Sequence, residues 1–148
     1  MILFLDFDGV LHPTGQDGHA CEALKFCHLP ALEALLRSVP DVRIVISSSW
    51  REQMPFTQLL APFADDIRAR VLGVTPALHW PAGVYHPARR EREIVAWLAV
   101  HGGVDQPWVA LDDAHWQFEQ HKDRLVACVS WTGLDAQALH LLRAHLVG

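Results

Sequence analysis

A chain of 148 residues with 51% hydrophobic content, six tryptophans and no apolar run of membrane-spanning length is a folded globular protein, not a disordered or bilayer-crossing one. Its formal charge of −5 excludes a surface basic enough for indiscriminate nucleic-acid binding and leaves room only for a local basic patch. Cys21, Cys27 and Cys128 are too few and too odd in number for a disulfide framework, so a cytoplasmic setting is expected. The chain opens directly on an apolar strand without the basic region that precedes a signal segment, so secretion is not expected. The length fits one domain over 1–148, and no internal repeat, low-complexity tract or linker interrupts it.

In chain order, the apolar run from Met1 to Leu5 reads as a buried parallel strand that delivers Asp6 and Asp8. If the chain stayed extended past the strand end, the two carboxylates would face one side and repel, which calls for a cation or donors. Residues 12–28 carry Pro13, Gly15, Asp17 and Gly18, the chemistry of a loop, and a flap could lie there. Leu29, Leu32, Leu35 and Leu36 have helical spacing through Arg37. The β-branched run from Val42 to Ile46 gives a second strand that ends in Ser47, Ser48 and Ser49. A weak helix over 54–63 and a third strand over 70–74 come next, followed by a proline-rich loop from Thr75 to Pro87. The next helix, from Pro87 to His101, opens on the tight cluster Arg89, Arg90 and Arg92 and stops at Gly102–Gly103. The stretch PWVALDDAHW repeats the opening logic, an apolar strand ending in Asp112 and Asp113. Leu125 to Val129 makes a fifth strand, and a leucine-rich amphipathic helix ends the chain.

Strands alternating with helices predict an α/β fold, Rossmann-like and three-layered, with a mainly parallel five-stranded sheet. Ligands of such sheets bind beyond the carboxyl ends of the strands, where strand order reverses. Asp6, Ser47 and Asp112 stand at three such ends.

The segment DFDGVLHP resembles the first motif of the haloacid dehalogenase (HAD) superfamily of phosphohydrolases, IVISS its second, Arg90 at the head of RREREIVAWL its third and ALDD its fourth. All four stand in the family's order between residues 2 and 113. The SSSWR segment and the helix pattern EIxxWL further resemble HAD domains of multidomain RNA repair proteins. The resemblance implies that Asp6 is a nucleophile forming an aspartyl-phosphate and that Asp8 is the general acid and base. It also implies Mg²⁺ held by Asp6, the Asp8 carbonyl and Asp113 with help from Asp112, and a phosphate held by Gly9, Ser47 and Arg90. Ser48 competes with Ser47 for the phosphate, and Arg89 and Arg92 compete with Arg90 for the third motif.

With spacers this short, the site should have little or no cap, and it should accept a phosphorylated substrate as large as a nucleic-acid end. Small phosphate esters remain a second class, and a phosphate-recognising regulatory module without turnover is the alternative from outside the enzymes. His19, Cys21, Cys27 and His28 match no paired zinc-ligand spacing and read as loop or core residues. His12 reads as a loop histidine with no catalytic role, with contact to a leaving group as the alternative, and His115 as exposed or as a neighbour of the acidic pair. Trp50, Trp80 and Trp116 read as packing residues with a stacking role on a base as the alternative.

Overall fold

The apolar runs that read as strands assemble into one sheet. The computed structural model describes all 148 residues. It contains β1 (Ile2–Leu5), β2 (Arg43–Ile46), β3 (Val71–Val74), β4 (Trp108–Asp112) and β5 (Leu125–Ala127), in the spatial order β3-β2-β1-β4-β5. Every pairing is parallel, so the expected mainly parallel sheet is parallel throughout. Strand order reverses between β1 and β4. Leu5 is in register with Ile46 on one side and Leu111 on the other, which brings Asp6, Ser47 and Asp112 level at the carboxyl edge.

Five helices flank the sheet: α1 (Leu29–Arg37), α2 (Phe56–Leu60), α3 (Asp65–Arg68), α4 (Arg89–Ala99) and α5 (Ala136–Val147). The helix expected over 54–63 is shorter, and a separate turn of helix, α3, follows it. Strand alternation divides the core between two faces. Leu3, Leu5, Ile44, Ile46, Val109 and Leu111 face the larger core with α1 and α5. Ile2, Phe4, Val45, Trp108 and Ala110 meet Ile94, Trp97 and Leu98 of α4. Phe4 lies at the centre of that second face, edge-on to Trp97 at 5.6 Å and to Trp108 at 5.7 Å. The result is the three-layer α/β arrangement expected. The spacers 13–41 and 50–88 hold turns, α1, α2, α3 and β3, with no second sheet. No helix is long and apolar enough to cross a membrane.

Buried charged side chains tie the connecting loops to this frame by accepting or donating at loop backbone. Arg70 donates to the carbonyls of Val42, Leu36 and Val39 at 2.9, 2.7 and 2.7 Å, fastening the turn between α1 and β2. The Glu33 carboxylate accepts the Ala64 amide at 2.7 Å, just ahead of α3. Glu91, only 4% exposed on α4, accepts the amides of Glu119, Gln120 and His121 at 3.0, 3.0 and 2.6 Å, and the His121 ring lies 3.0 Å away.

Burial pushes the Glu91 carboxyl up, but these donors together outweigh it and hold its pKa below the usual glutamate value. A depressed folded pKa makes the stabilisation fully present above the unfolded pKa and removes it as pH falls through the folded one. Glu91→Gln should therefore cost about 2 kcal/mol in urea unfolding at pH 7, the scale of a hydrogen bond to a charged group. That cost should shrink steadily below pH 4, where the native carboxyl takes up its own proton. An equal cost at pH 7 and pH 3 would remove the charge from the explanation.

Candidate active site

At the reversal of strand order, β1 and β4 end side by side and each releases an aspartate. Asp6 is 4% exposed and Asp112 is 1% exposed, and with Asp113 their carboxylate oxygens all lie within 4.8 Å of one another. One guanidinium faces this group. Arg90 Nη1 stands 3.4 Å from Asp6 Oδ1 and 3.3 Å from Asp112 Oδ2, and it donates to the Ser47 carbonyl. The Arg90 amide donates to Gln117 Oε1 at 3.0 Å, which ties the start of α4 to the turn after β4. Of the three arginines in the cluster, Arg90 alone reaches the carboxylates. Arg89 pairs with Glu52 at 3.4 Å and Glu93 at 3.5 Å, and Arg92 donates to the Pro87 carbonyl at 3.2 Å.

Three carboxylates against one guanidinium leave an excess of negative charge where water is scarce. Burial and then the Asp112 charge push the Asp6 pKa well up, with Arg90 opposing. Burial raises Asp112 as well, against the pull of Arg90 and the Ala114 amide. Burial would lower the Arg90 pKa, yet Asp112 and Asp6 hold it further up, so the guanidinium stays charged. Asp112 Oδ2 is buried and accepts no hydrogen bond, and the donor set is all oxygen. These features suit a small, hard divalent cation.

The Asp8 side chain lies outside this cluster, contrary to the extended geometry that would put it beside Asp6. The strand stops at Leu5, and Val10 and Leu11 both donate to the Phe7 carbonyl, so the chain turns back at Asp8. Two donors receive its carboxylate: the His12 ring through Nε2 at 2.8 Å from Oδ1, and Trp50 Nε1 at 2.8 Å from Oδ2. Burial would raise the Asp8 pKa, but these bonds from His12 and Trp50 outweigh it and hold the carboxyl below its ordinary value. The like-charge problem therefore falls on Asp6, Asp112 and Asp113, and Asp8 is compensated within the protein.

Gly9 is explained by close approach. Its φ is +72°, and a Cβ there would stand 2.2 Å from Asp113 Oδ2. Asp113 is held from the other side by the Ser130 hydroxyl at 2.8 Å. The serines after β2 divide similarly. Ser48 Oγ accepts the Trp50 amide at 3.2 Å and caps the following turn, whereas Ser47 Oγ is buried and has no partner. The Ser47 hydroxyl is thus a buried polar group with no protein partner at the carboxyl end of β2.

Several residues of the site carried no signal of their own in the sequence. Ser130 and Gln117 reach it from loops after β5 and β4. Arg51 joins through a buried pair with Glu93 at 2.6 Å and donates to the carbonyls of Ser48 and Thr75 at 2.8 and 2.9 Å, fixing the exit of β2 against α4. Of the tryptophans, Trp50 bonds Asp8 and packs edge-on to Phe7 and Phe26, Trp80 stacks on His86 at 4.2 Å, and Trp116 is largely exposed beside exposed His115. A cleft of about 510 Å³ opens next to Asp8, lined among others by His19, Lys25, Ser49, Trp50 and Gln53.

Neither a curated protein nor a solved structure matches the chain significantly. A family model does, described as the HAD domain in Swiss Army Knife RNA repair proteins, and it covers residues 2–139. The four ordered motifs, the parallel sheet and the carboxylates gathered at its reversal point agree with that match, and the chain belongs to this family of HAD domains.

Proposed function

We propose that the domain is a Mg²⁺-dependent phosphomonoesterase working through an aspartyl-phosphate on Asp6. The observation that carries this reading is the buried Asp6–Asp112–Asp113 cluster on Arg90, with the unpartnered Ser47 hydroxyl beside it. Asp6 attacks phosphorus while the bond from phosphorus to the ester oxygen breaks, and Asp8 gives that oxygen a proton. Water then attacks the aspartyl-phosphate and passes a proton to Asp8, which releases phosphate and restores Asp6.

Phe7 N–H at 2.8 Å and Arg90 both meet Asp6 Oδ1, which fixes the plane of the nucleophile. Ser47 and Arg90 bind the oxygens of the transferring group, with Gly9 at the turn beneath, and Ser48 holds the turn that follows. Asp6, the Asp8 carbonyl and Asp113 hold the cation, and Asp112 supports them. Bound there, Mg²⁺ supplies positive charge to the phosphate oxygens and relieves the repulsion among the carboxylates.

Asp8 must face the leaving group, so the cleft beside it is the leaving-group side of the site. About 510 Å³ is roomy for a single small alcohol and suits a phosphorylated nucleic-acid end, in line with the family's description.

With Mg²⁺ present, an aryl phosphate should be hydrolysed, chelation should abolish the activity, and added Mg²⁺ should restore it. Asp6→Asn should lose about 10³-fold or more in kcat; unchanged turnover would remove Asp6 from its role. A crystal grown with Mg²⁺ and beryllium fluoride should carry the phosphoryl mimic on Asp6. In a panel of phosphorylated oligonucleotides, nucleotides, phosphopeptides and sugar phosphates, the oligonucleotides should give the highest kcat/KM. Preference for sugar phosphates would reassign the domain to small molecules.

Gly9→Ala tests the cation cradle, because its methyl would displace the Asp113 carboxylate. The Mg²⁺ concentration for half-maximal activity should rise about 10- to 100-fold, the usual scale for disturbing the support of a metal ligand. Unaltered Mg²⁺ dependence would separate Asp113 from the metal.

A further inference from the structure

We propose that His12 and Trp50 are positioning residues that hold the Asp8 carboxylate in one orientation at the leaving-group side of the site. The proposal rests on the phosphomonoesterase reading above and adds two residues to it, both acting through Asp8.

The His12 ring is fully buried and both of its nitrogens are engaged. Nδ1 accepts the Phe26 amide at 3.3 Å, so the ring carries its proton on Nε2 and donates it to Asp8 Oδ1 at 2.8 Å. Phe26 presents that amide from a left-handed backbone with φ +58°, a conformation a bulky residue adopts only where its surroundings impose it. The ring itself is packed edge-on to Phe26 at 5.3 Å and tilted against Trp50 at 5.7 Å. Trp50 is fixed in turn, edge-on to Phe7 at 5.5 Å and to Phe26 at 5.6 Å, with its N–H on Asp8 Oδ2 at 2.8 Å. Three aromatic side chains and one strained amide thus converge on the orientation of a single carboxylate.

That arrangement fixes the plane of the carboxylate, so it meets the leaving oxygen in one orientation. Each Asp8 oxygen accepts one hydrogen bond here and keeps a second lone pair, so a proton can still be carried on the side facing the cleft. Asp8, Trp50, Lys25 and His19 line the same cleft, so the group being held faces the leaving-group side.

The test reads leaving-group dependence, which a purely structural role would not change. Trp50→Phe keeps the ring and removes the N–H; His12→Ala removes the other donor, and His12→Gln can restore an N–H near the position of Nε2. For a phosphorylated oligonucleotide or a simple alkyl phosphate, whose leaving oxygen needs a proton, Trp50→Phe and His12→Ala should each lower kcat/KM about 10- to 100-fold, with KM little changed. For p-nitrophenyl phosphate, whose leaving group departs as an anion, the loss should stay under about threefold. His12→Gln should recover most of the loss on the alkyl ester.

Equal losses on both substrates, or none on either, would overturn the positioning role while wild-type turnover kept the phosphomonoesterase reading intact. Nuclear magnetic resonance tests the clamp without turnover. The His12 nitrogen shifts should report the Nε2–H tautomer, and Asp8→Ala should shift the Trp50 indole proton upfield. An Nδ1–H tautomer, or an indole resonance indifferent to Asp8→Ala, overturns the proposal even if wild-type protein hydrolyses nothing.

Discussion

Three carboxylates clustered at one sheet edge, two of them buried against a single guanidinium, form the constraint on which the remaining structure depends. Such a group is unfavourable by itself: burial resists ionisation, and the neighbouring charges resist it further. It persists because Arg90 is delivered to one place with little freedom. The second face of the sheet does this, packing Ile94, Trp97 and Leu98 of α4 on Phe4 and Val45. The polar edges of α4 are fastened too, Glu93 by Arg51 and by the Leu78 amide at 2.9 Å, and Glu91 by the loop after β4. Moving α4 by the width of a methyl group would change the Arg90 contacts at 3.3 and 3.4 Å, so core packing and site electrostatics are one problem here.

Asp6 and Asp8 are two residues apart and meet opposite environments. Asp6 sits against other acids with one cation to share, and its carboxyl is pushed up. Asp8 sits in a turn among aromatic rings with an N–H on each oxygen, and its carboxyl is held down. The turn at Gly9 produces the difference by ending the strand early and facing the second side chain away from the first. One turn thus gives two acids only two residues apart opposite electrostatic settings.

Much of this was legible in the order of the residues, because both the strands and the acids that end them are local features. The five strands read as short apolar runs, α1 and α4 as helical periodicity, and the strand ends at Asp6, Ser47 and Asp112 followed from where the apolar runs stop. The orientation of Asp8 was not legible, since extended geometry through residue 8 is the simplest extrapolation and a turn replaces it. Nor were the partners. Trp50 and Asp8 are 42 residues apart, as are Arg51 and Glu93, while Ser130 reaches Asp113 from 17 residues on. Pairings of that kind depend on strand order, and β4 and β5 take their places only once the chain has crossed back over β1. Arg90, Arg89 and Arg92 illustrate the same limit, for nearby positions in one helical turn face different neighbours and only packing decides which one looks inward.

The loops carry a solution to a difficulty created by the site. An open carboxyl edge needs long connections, and their backbone amides and carbonyls must be satisfied where sheet and helix do not reach them. Arg70, in the turn ahead of β3, and Glu33, Glu91 and Glu93, on helices, do this with charged side chains, each bonded to the backbone of a segment distant in sequence. Charge-assisted bonds of this type are stronger than neutral ones and directional. They give the edge enough rigidity to keep Ser47 Oγ and Asp112 Oδ2 buried without a donor or acceptor, an arrangement a looser framework would collapse or flood. Local conflict at the site is thus held in place by agreement elsewhere in the fold.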